Sequence, residues 1–137
     1  MQNSKFPKGI EVAVSCLVVN KNNEILLSKH PSWHDGKKWV LHGGHIESGE
    51  TIFAAAERET KEETGVAAKA MWIIDSGDNI ISEKQKHYVW FCCLLETYDE
   101  TAVVGEELTE AKWFSRGEIL KQNIEPGFRK MIEKYLS

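Results

Sequence analysis

The chain is short of positive charge, cysteine, proline and long apolar runs, and each shortage excludes something. Its 137 residues carry 17 Lys and Arg against 21 Asp and Glu, a formal net charge of −4. A general nucleic-acid or membrane-surface binder needs the opposite balance. The three cysteines, Cys16, Cys92 and Cys93, are an odd number without framework spacing. They sit in apolar, strand-like runs, which favours buried thiols in a reducing compartment over a disulfide scaffold. No apolar run is long enough to span a bilayer, and the polar N-terminus has no signal-peptide core. A cytoplasmic protein is therefore expected. There is no internal repeat, low-complexity tract or linker, so residues 1–137 are read as a single domain with volume for a real core.

What the chain does have is the stretch Gly43 to Val66, GGHIESGETIFAAAERETKEETGV. A glycine pair leads through a turn into a helix predicted over residues 51–64 and closed by Gly65. A helix advances about 100° per residue, so Glu59, Glu62 and Glu63 share one face at i, i+3 and i+4. Ile52, Ala55 and Ala56 extend that stripe as an apolar half able to pack on a sheet, with the acids emerging at the sheet's edge. Three like charges destabilise an empty helix, most of all near its negative C-terminal end. Hard divalent cations bound through oxygen offset that repulsion, and Mg²⁺ recruits carboxylates together with substrate phosphates.

The rest of the chain alternates strand and helix signals. Residues 10–20 are rich in Val and Leu and read as a buried strand. They turn at Lys21-Asn22-Asn23 into a partner strand over 24–29, together forming a hairpin. A polar loop over 30–38 precedes a short strand, Trp39-Val40-Leu41. Residues 67–81 read as one or two strands interrupted near Gly77-Asp78-Asn79. Residues 87–96 are apolar on both faces and predict a central strand. An acidic loop over 99–110 leads to a short strand over 111–114, and Ser115 is suited to cap a helical stretch over 116–121. Pro126 fits the first turn of a last helix with the stripe Phe128, Met131, Ile132, Tyr135 and Leu136. Strands bracketing helices predict an α/β architecture. Trp33 and Trp39 are candidates for stacking a nucleobase, or for packing at the loop base. His42 and His45, three apart across glycines with no cysteine nearby, are weak grounds for a zinc site.

The box resembles that of the Nudix hydrolases, G-x5-E-x7-R-E-U-x-E-E-x-G-U with U a bulky apolar residue. Gly44, Glu50, Arg58, Glu59, Glu62, Glu63, Gly65 and Val66 stand in register. Thr60 departs from it where an aliphatic residue is usual, and His42 stands where proline is common. The resemblance implies a Nudix fold, an α/β/α sandwich with a mixed β-sheet between helices. It implies Mg²⁺, with Mn²⁺ as a substitute, held by the Gly43 carbonyl, Glu59, Glu62 and Glu63. It also implies that Arg58 pairs with Glu50 and steers the metal-binding carboxylates. The general base is left between Glu62 and Glu107, an acid preceding Trp113 in the position resembling that of MutT-like enzymes; Glu106 and Glu110 lie close by.

The implied reaction is hydrolysis of a nucleoside diphosphate linked to another moiety. The implied partner is a small nucleotide, with no nucleic acid and no membrane, and a homodimer is left open. The proline associated with ADP-ribose and the tyrosine associated with dinucleoside polyphosphates are both missing from Ile80-Ile81-Ser82-Glu83-Lys84, and no coenzyme A signature is apparent. The remaining resemblance, including His87-Tyr88-Val89 after the loop, leans toward a nucleoside triphosphate pyrophosphohydrolase releasing nucleoside monophosphate. The competing reading is a non-catalytic nucleotide-binding sensor module. Such modules usually lose box carboxylates, and this chain keeps them all.

Overall fold

The computed structural model describes residues 6–32, 34–99 and 101–137, without the side chain of His34. Two long strands, β1 (Ile10–Val19) and β5 (Lys86–Glu96), run parallel at its centre, Ile10 opposite His87 and Val19 opposite Glu96. Around them lie β2 (Ile25–Lys29), β3 (Gly43–His45), β4 (Lys69–Ile81) and β6 (Glu110–Phe114). The sheet order is β4-β5-β1-β2-β6, with β3 joined to β1 off this path. All pairings except β1 with β5 are antiparallel, which makes the sheet mixed.

Each face of the sheet carries one helix. Along β1 the side chains alternate: Val14, Cys16 and Val18 meet Ala55, Ala56 and Val66 on one face. Leu17 and Val19 meet Phe128, Met131 and Ile132 on the other. The helices are α1 (Ile52–Thr64) and α2 (Pro126–Leu136). Burial on both faces explains why β1 and β5 lack a polar side over their inner halves. α1 contributes alanines, so its backbone lies close to the sheet and its next two turns reach the sheet's edge. α2 instead inserts large side chains, each contributing about 1.5–3 kcal/mol through burial. This is the α/β/α sandwich expected from the sequence.

α1 begins and ends as its sequence dictates. The Thr51 hydroxyl accepts from Ala54 N (3.1 Å), and Gly65 closes the helix at φ 70°, where a side chain would be strained. Glu125 caps α2 by accepting from Gly127 N, with Pro126 in the first turn.

Four local expectations differ from the structure. The β1–β2 hairpin closes at a single pair, Val19 with Ile25, because β3 takes the next stretch of that edge and β2 pairs over its whole length with β6. Trp39 and Val40 make isolated bridges, and the strand is formed instead by Gly43–His45, which the sequence reads as a turn. β4 is continuous through Gly77; its irregularities fall between Ala70 and Trp72 and between Ile73 and Asp75. Residues 116–121 form turns and one 3₁₀ turn, Ile119–Lys121, in place of a helix, and Ser115 accepts through its backbone carbonyl from Glu118 N and Ile119 N. Among the described residues no helix is long and apolar enough to cross a membrane.

Candidate active site

The site is built where α1 passes the edge of β3. In the β1–β3 ladder His42 O accepts from Cys16 N (2.9 Å) and Ile46 N donates to Val12 O (2.9 Å). Antiparallel pairing alternates, so the intervening Gly43 and His45 turn their carbonyls away from β1. The His45 carbonyl accepts from Arg58 Nη2 at 3.1 Å. The Gly43 carbonyl points the same way about 7 Å along the strand, toward the acidic face of α1. Gly43 does not tolerate a side chain, and one at Gly44 would have to displace the Glu59 carboxylate. A Cβ on Gly43 would lie 2.0 Å from Val14 O, and one on Gly44 2.4 Å from Glu59 Oε1. Close approach, rather than a positive φ, is what requires glycine here.

Arg58 holds the carboxylates in place, and all five of its N–H groups are engaged. Nε and Nη2 bind both oxygens of Glu50 at 2.7 and 2.9 Å. Nη1 donates to Glu59 Oε1 (2.9 Å) and Glu62 Oε2 (3.3 Å), and Nη2 also reaches His45 O. The Arg58 hydrogen bonds, with a bond from Glu47 N, hold the Glu50 carboxyl down at about 2, and Glu50 in turn raises the Arg58 guanidinium further above its already high value. A planar fork matched to a carboxylate sets orientation as well as charge.

The three box acids do not behave alike. Glu59 and Glu63 are buried, while Glu62 lies toward solvent with a side chain 59% exposed. Burial, then a shared hydrogen bond with Glu59 and the nearby charges of Glu59 and Glu107, pushes the Glu63 carboxyl up to about 9. Its Oε2 is buried with no hydrogen-bond partner among the described residues. Among the described residues no three His, Cys, Asp or Glu side chains close around one point. The oxygens facing this edge are the Glu59 and Glu63 carboxylates and the Gly43 carbonyl. A hard cation that completes its shell with water and phosphate suits such a set.

Glu107 arrives on a loop docked over the end of α1. Val103 N and Gly105 N donate to the last-turn carbonyls of Thr64 (2.8 Å) and Glu63 (2.7 Å), satisfying groups the helix leaves free. A Cβ on Gly105 would come within 2.4 Å of Glu62 O, so only glycine lets the loop lie this close. Glu106 and Glu107 thereby face Glu62 and Glu63 across a small cavity of about 240 Å³. Glu110 is elsewhere, 3.6 Å from Lys29 Nζ on β6.

A larger cavity of about 980 Å³ runs from Glu63, Gly43 and Glu107 along the α2 face of the sheet, past Tyr88 and Trp90. Trp39 does not line it. Its ring is buried edge-on to Phe114 with Lys29 above it, and its backbone braces the start of α2 through Asn123 O and Glu125 N. Trp33 lies outside the described residues. The sequence reading passed over Tyr88 and Trp90 as core of a central strand; both are half-buried. Gly77 was the available signal, since a Cβ there would lie 2.6 Å from Trp90 Cζ2. The indole therefore lies directly over the β4 backbone.

The NUDIX domain model matches residues 9–135. The chain belongs to the Nudix family. Nudix hydrolase 8 of Arabidopsis thaliana is 30% identical over 131 residues, covering 90% of this chain and 35% of that protein. An ADP-ribose pyrophosphatase of Methanocaldococcus jannaschii is 27% identical over 119 residues, covering 87% of this chain and 69% of that protein. The chain spans little more than a third of the length of the plant Nudix hydrolases 8 and 5. In fold it is similar to the crystal structure of a MutT protein from Methanosarcina mazei Go1, with a TM-score of 0.77, 23% identity and 92% of each chain covered. Nudix hydrolases generally use divalent metal ions.

Proposed function

We propose that this Nudix protein is a Mg²⁺- or Mn²⁺-dependent pyrophosphohydrolase. It cleaves a phosphoanhydride of a nucleoside diphosphate linked to another moiety and releases a nucleoside monophosphate, with nucleoside triphosphates as the first expected substrates. The observation that carries this reading is the outward-facing Gly43 carbonyl beside the Arg58-held carboxylates, at one end of the cavity of about 980 Å³. The orphaned Glu63 Oε2 and the raised Glu63 carboxyl fit a cation, because a buried acid without a counter-charge stays protonated until one arrives. An all-oxygen donor set favours Mg²⁺ or Mn²⁺ over softer metals.

A bound ion of this kind supplies neutralisation of phosphate charge and a water of lowered pKa. The chain's own residues do the rest. Glu59, Glu63 and the Gly43 carbonyl hold the ion, and Glu62, the most exposed of the three box acids, completes the acidic face. Glu50 and Arg58 orient that set. Glu107, packed against Glu63, is the candidate base that takes the water's proton, with Glu62 the alternative. Tyr88, whose ring lies 6.0 Å from that of His45, and Trp90 offer aromatic faces for the base along the cavity wall.

The Methanocaldococcus relative, an ADP-ribose pyrophosphatase, supports a second substrate class with a sugar phosphate as the linked moiety. Incubating the protein with Mg²⁺ and a panel of nucleoside triphosphates and ADP-ribose, with identification of products, tests both. Nucleoside monophosphate with pyrophosphate marks the first class, and nucleoside monophosphate with a sugar phosphate marks the second. Saturable binding with no turnover would identify the sensor module instead.

A further inference from the structure

We propose that His42 is a positioning residue which, through Thr60, sets the spacing between the Gly43 carbonyl and the carboxylates of α1. The inference rests on the metal-site reading above and deepens it. His42 is 2% exposed, and its Nε2 lies 2.9 Å from Thr60 Oγ1. The Thr60 hydroxyl sits 2.8 Å from the Ala56 carbonyl, which can only accept, so the hydroxyl proton is committed there. With the hydroxyl proton on Ala56 O, Thr60 Oγ1 accepts from His42 and the ring carries its proton on Nε2. Nδ1 is buried with no partner among the described residues.

The placement of this bond gives it a mechanical role. His42 immediately precedes Gly43, and Thr60 immediately follows Glu59 and lies one turn before Glu63. On the strand side, the His42 backbone is latched to β1 through Cys16 N (2.9 Å). On the helix side, Thr60 is fully buried and bonded to its own helix. The direction of the β3 edge is fixed farther on, where Arg58 binds His45 O. The imidazole is thus a strut of fixed length between strand and helix, one residue away from a candidate ligand at each end. His42 and Thr60 lie beside a contact between β1 and α1 that is otherwise made of apolar side chains and the Cys16 thiol, which donates to Ala56 O (3.5 Å). An apolar pair there would pack without fixing a hydrogen-bond distance.

Binding of Mn²⁺ to the whole protein, followed by electron paramagnetic resonance and calorimetry, tests this without relying on turnover. Thr60→Val keeps the side chain's shape and removes the acceptor; His42→Leu removes the donor. Each is expected to weaken Mn²⁺ binding about tenfold, the lower end for outer-shell partners, and the double variant no further than either alone. Thr60→Ser, and His42→Gln with its N–H near the Nε2 position, should restore most of the affinity. Melting curves of the metal-free variants check that each is folded, and long-range ¹H–¹⁵N spectra of the metal-free wild type should report the Nε2–H form. Wild-type affinity in Thr60→Val, additive losses in the double variant, or the Nδ1–H form would each overturn the inference alone. Failure of the wild type to bind Mn²⁺ at all would overturn the metal-site reading and this inference with it.

Discussion

Arg58 makes one structure of four backbone and side-chain groups that are far apart in sequence. Its bonds to Glu50, Glu59, Glu62 and His45 O use every donor it has, so lysine, a point charge with three donors, cannot replace it. Arg58→Lys is expected to lower kcat/KM by roughly ten- to hundredfold, as loss of an orienting partner does at metal sites. Steady-state kinetics at several Mg²⁺ concentrations checks this, and part of the loss should be recovered at high metal.

Glu63 links chemistry to stability with opposite signs. In the metal-free protein its carboxyl titrates near 9, against an ordinary value of 4.5, chiefly because it is buried beside Glu59. Between those values the folded state holds a proton that the unfolded state has released, so its contribution to stability is full below about 4.5 and is lost as pH rises toward 9. The melting temperature of the metal-free protein should therefore fall from pH 5 to pH 9, and Mg²⁺ should raise it more at pH 8 than at pH 5. Glu63→Gln should flatten that fall and also cost about a thousandfold in kcat, roughly 4 kcal/mol of transition-state stabilisation. Glu50 acts in the opposite window: its carboxyl, held down at about 2, stabilises the fold above about 4.5, and that contribution is lost as pH falls toward 2.

At the scale of elements, close backbone approach decides more than propensity does. The loop over 101–109 reaches α1 only because Gly105 has no side chain. Gly105→Ala should lift the loop, carry Glu107 away from Glu63, and lower kcat while the far-ultraviolet dichroism of α1 persists. Glu107→Gln should have a comparable effect. Glu110→Gln, at a residue paired with Lys29, should have little. On the cavity's aromatic wall, Gly77→Ala would drive the Trp90 indole off the β4 backbone. It should raise KM with a smaller change in kcat if that ring carries the base.

The same physics marks what the sequence could tell. α1 was legible to within a residue because its alanines and Gly65 act locally, within a turn or two; Thr51, read as its first residue, is its N-cap. The apolar stripe of α2 and the two-sided β5 were legible for the same reason. Gly43–His45 was not legible as a strand, since Gly43 and Gly44 read as turn chemistry and their partner Val14 lies about thirty residues away, a tertiary choice that overrides propensity. The acids of the box were visible by spacing. The division between buried Glu59 and Glu63 and outward Glu62 was not, because it depends on where β3 and the loop over 101–109 press on the helix. His42 and Thr60 stood out only as separate departures from the family's box. Their contact, 18 residues apart in the chain, needs the fold.

For the whole molecule, the sandwich gives each face of the sheet a different task. The α1 face brings an acidic helix edge against glycine backbone, while the α2 face leaves an aromatic-walled cavity that runs back to the same edge. On the proposed reading the acidic edge holds a cation and the aromatic wall a base, and the expected substrate joins a nucleoside to a run of phosphates. The most direct measurement is product analysis for nucleotides carrying a diphosphate linkage, with wild type and Glu63→Gln side by side, in Mg²⁺ and in excess chelator. The expected result is release of nucleoside monophosphate by the wild type in Mg²⁺, none in chelator, and a loss of about a thousandfold in Glu63→Gln. Turnover that persists in chelator, or that Glu63→Gln leaves unchanged, would contradict it.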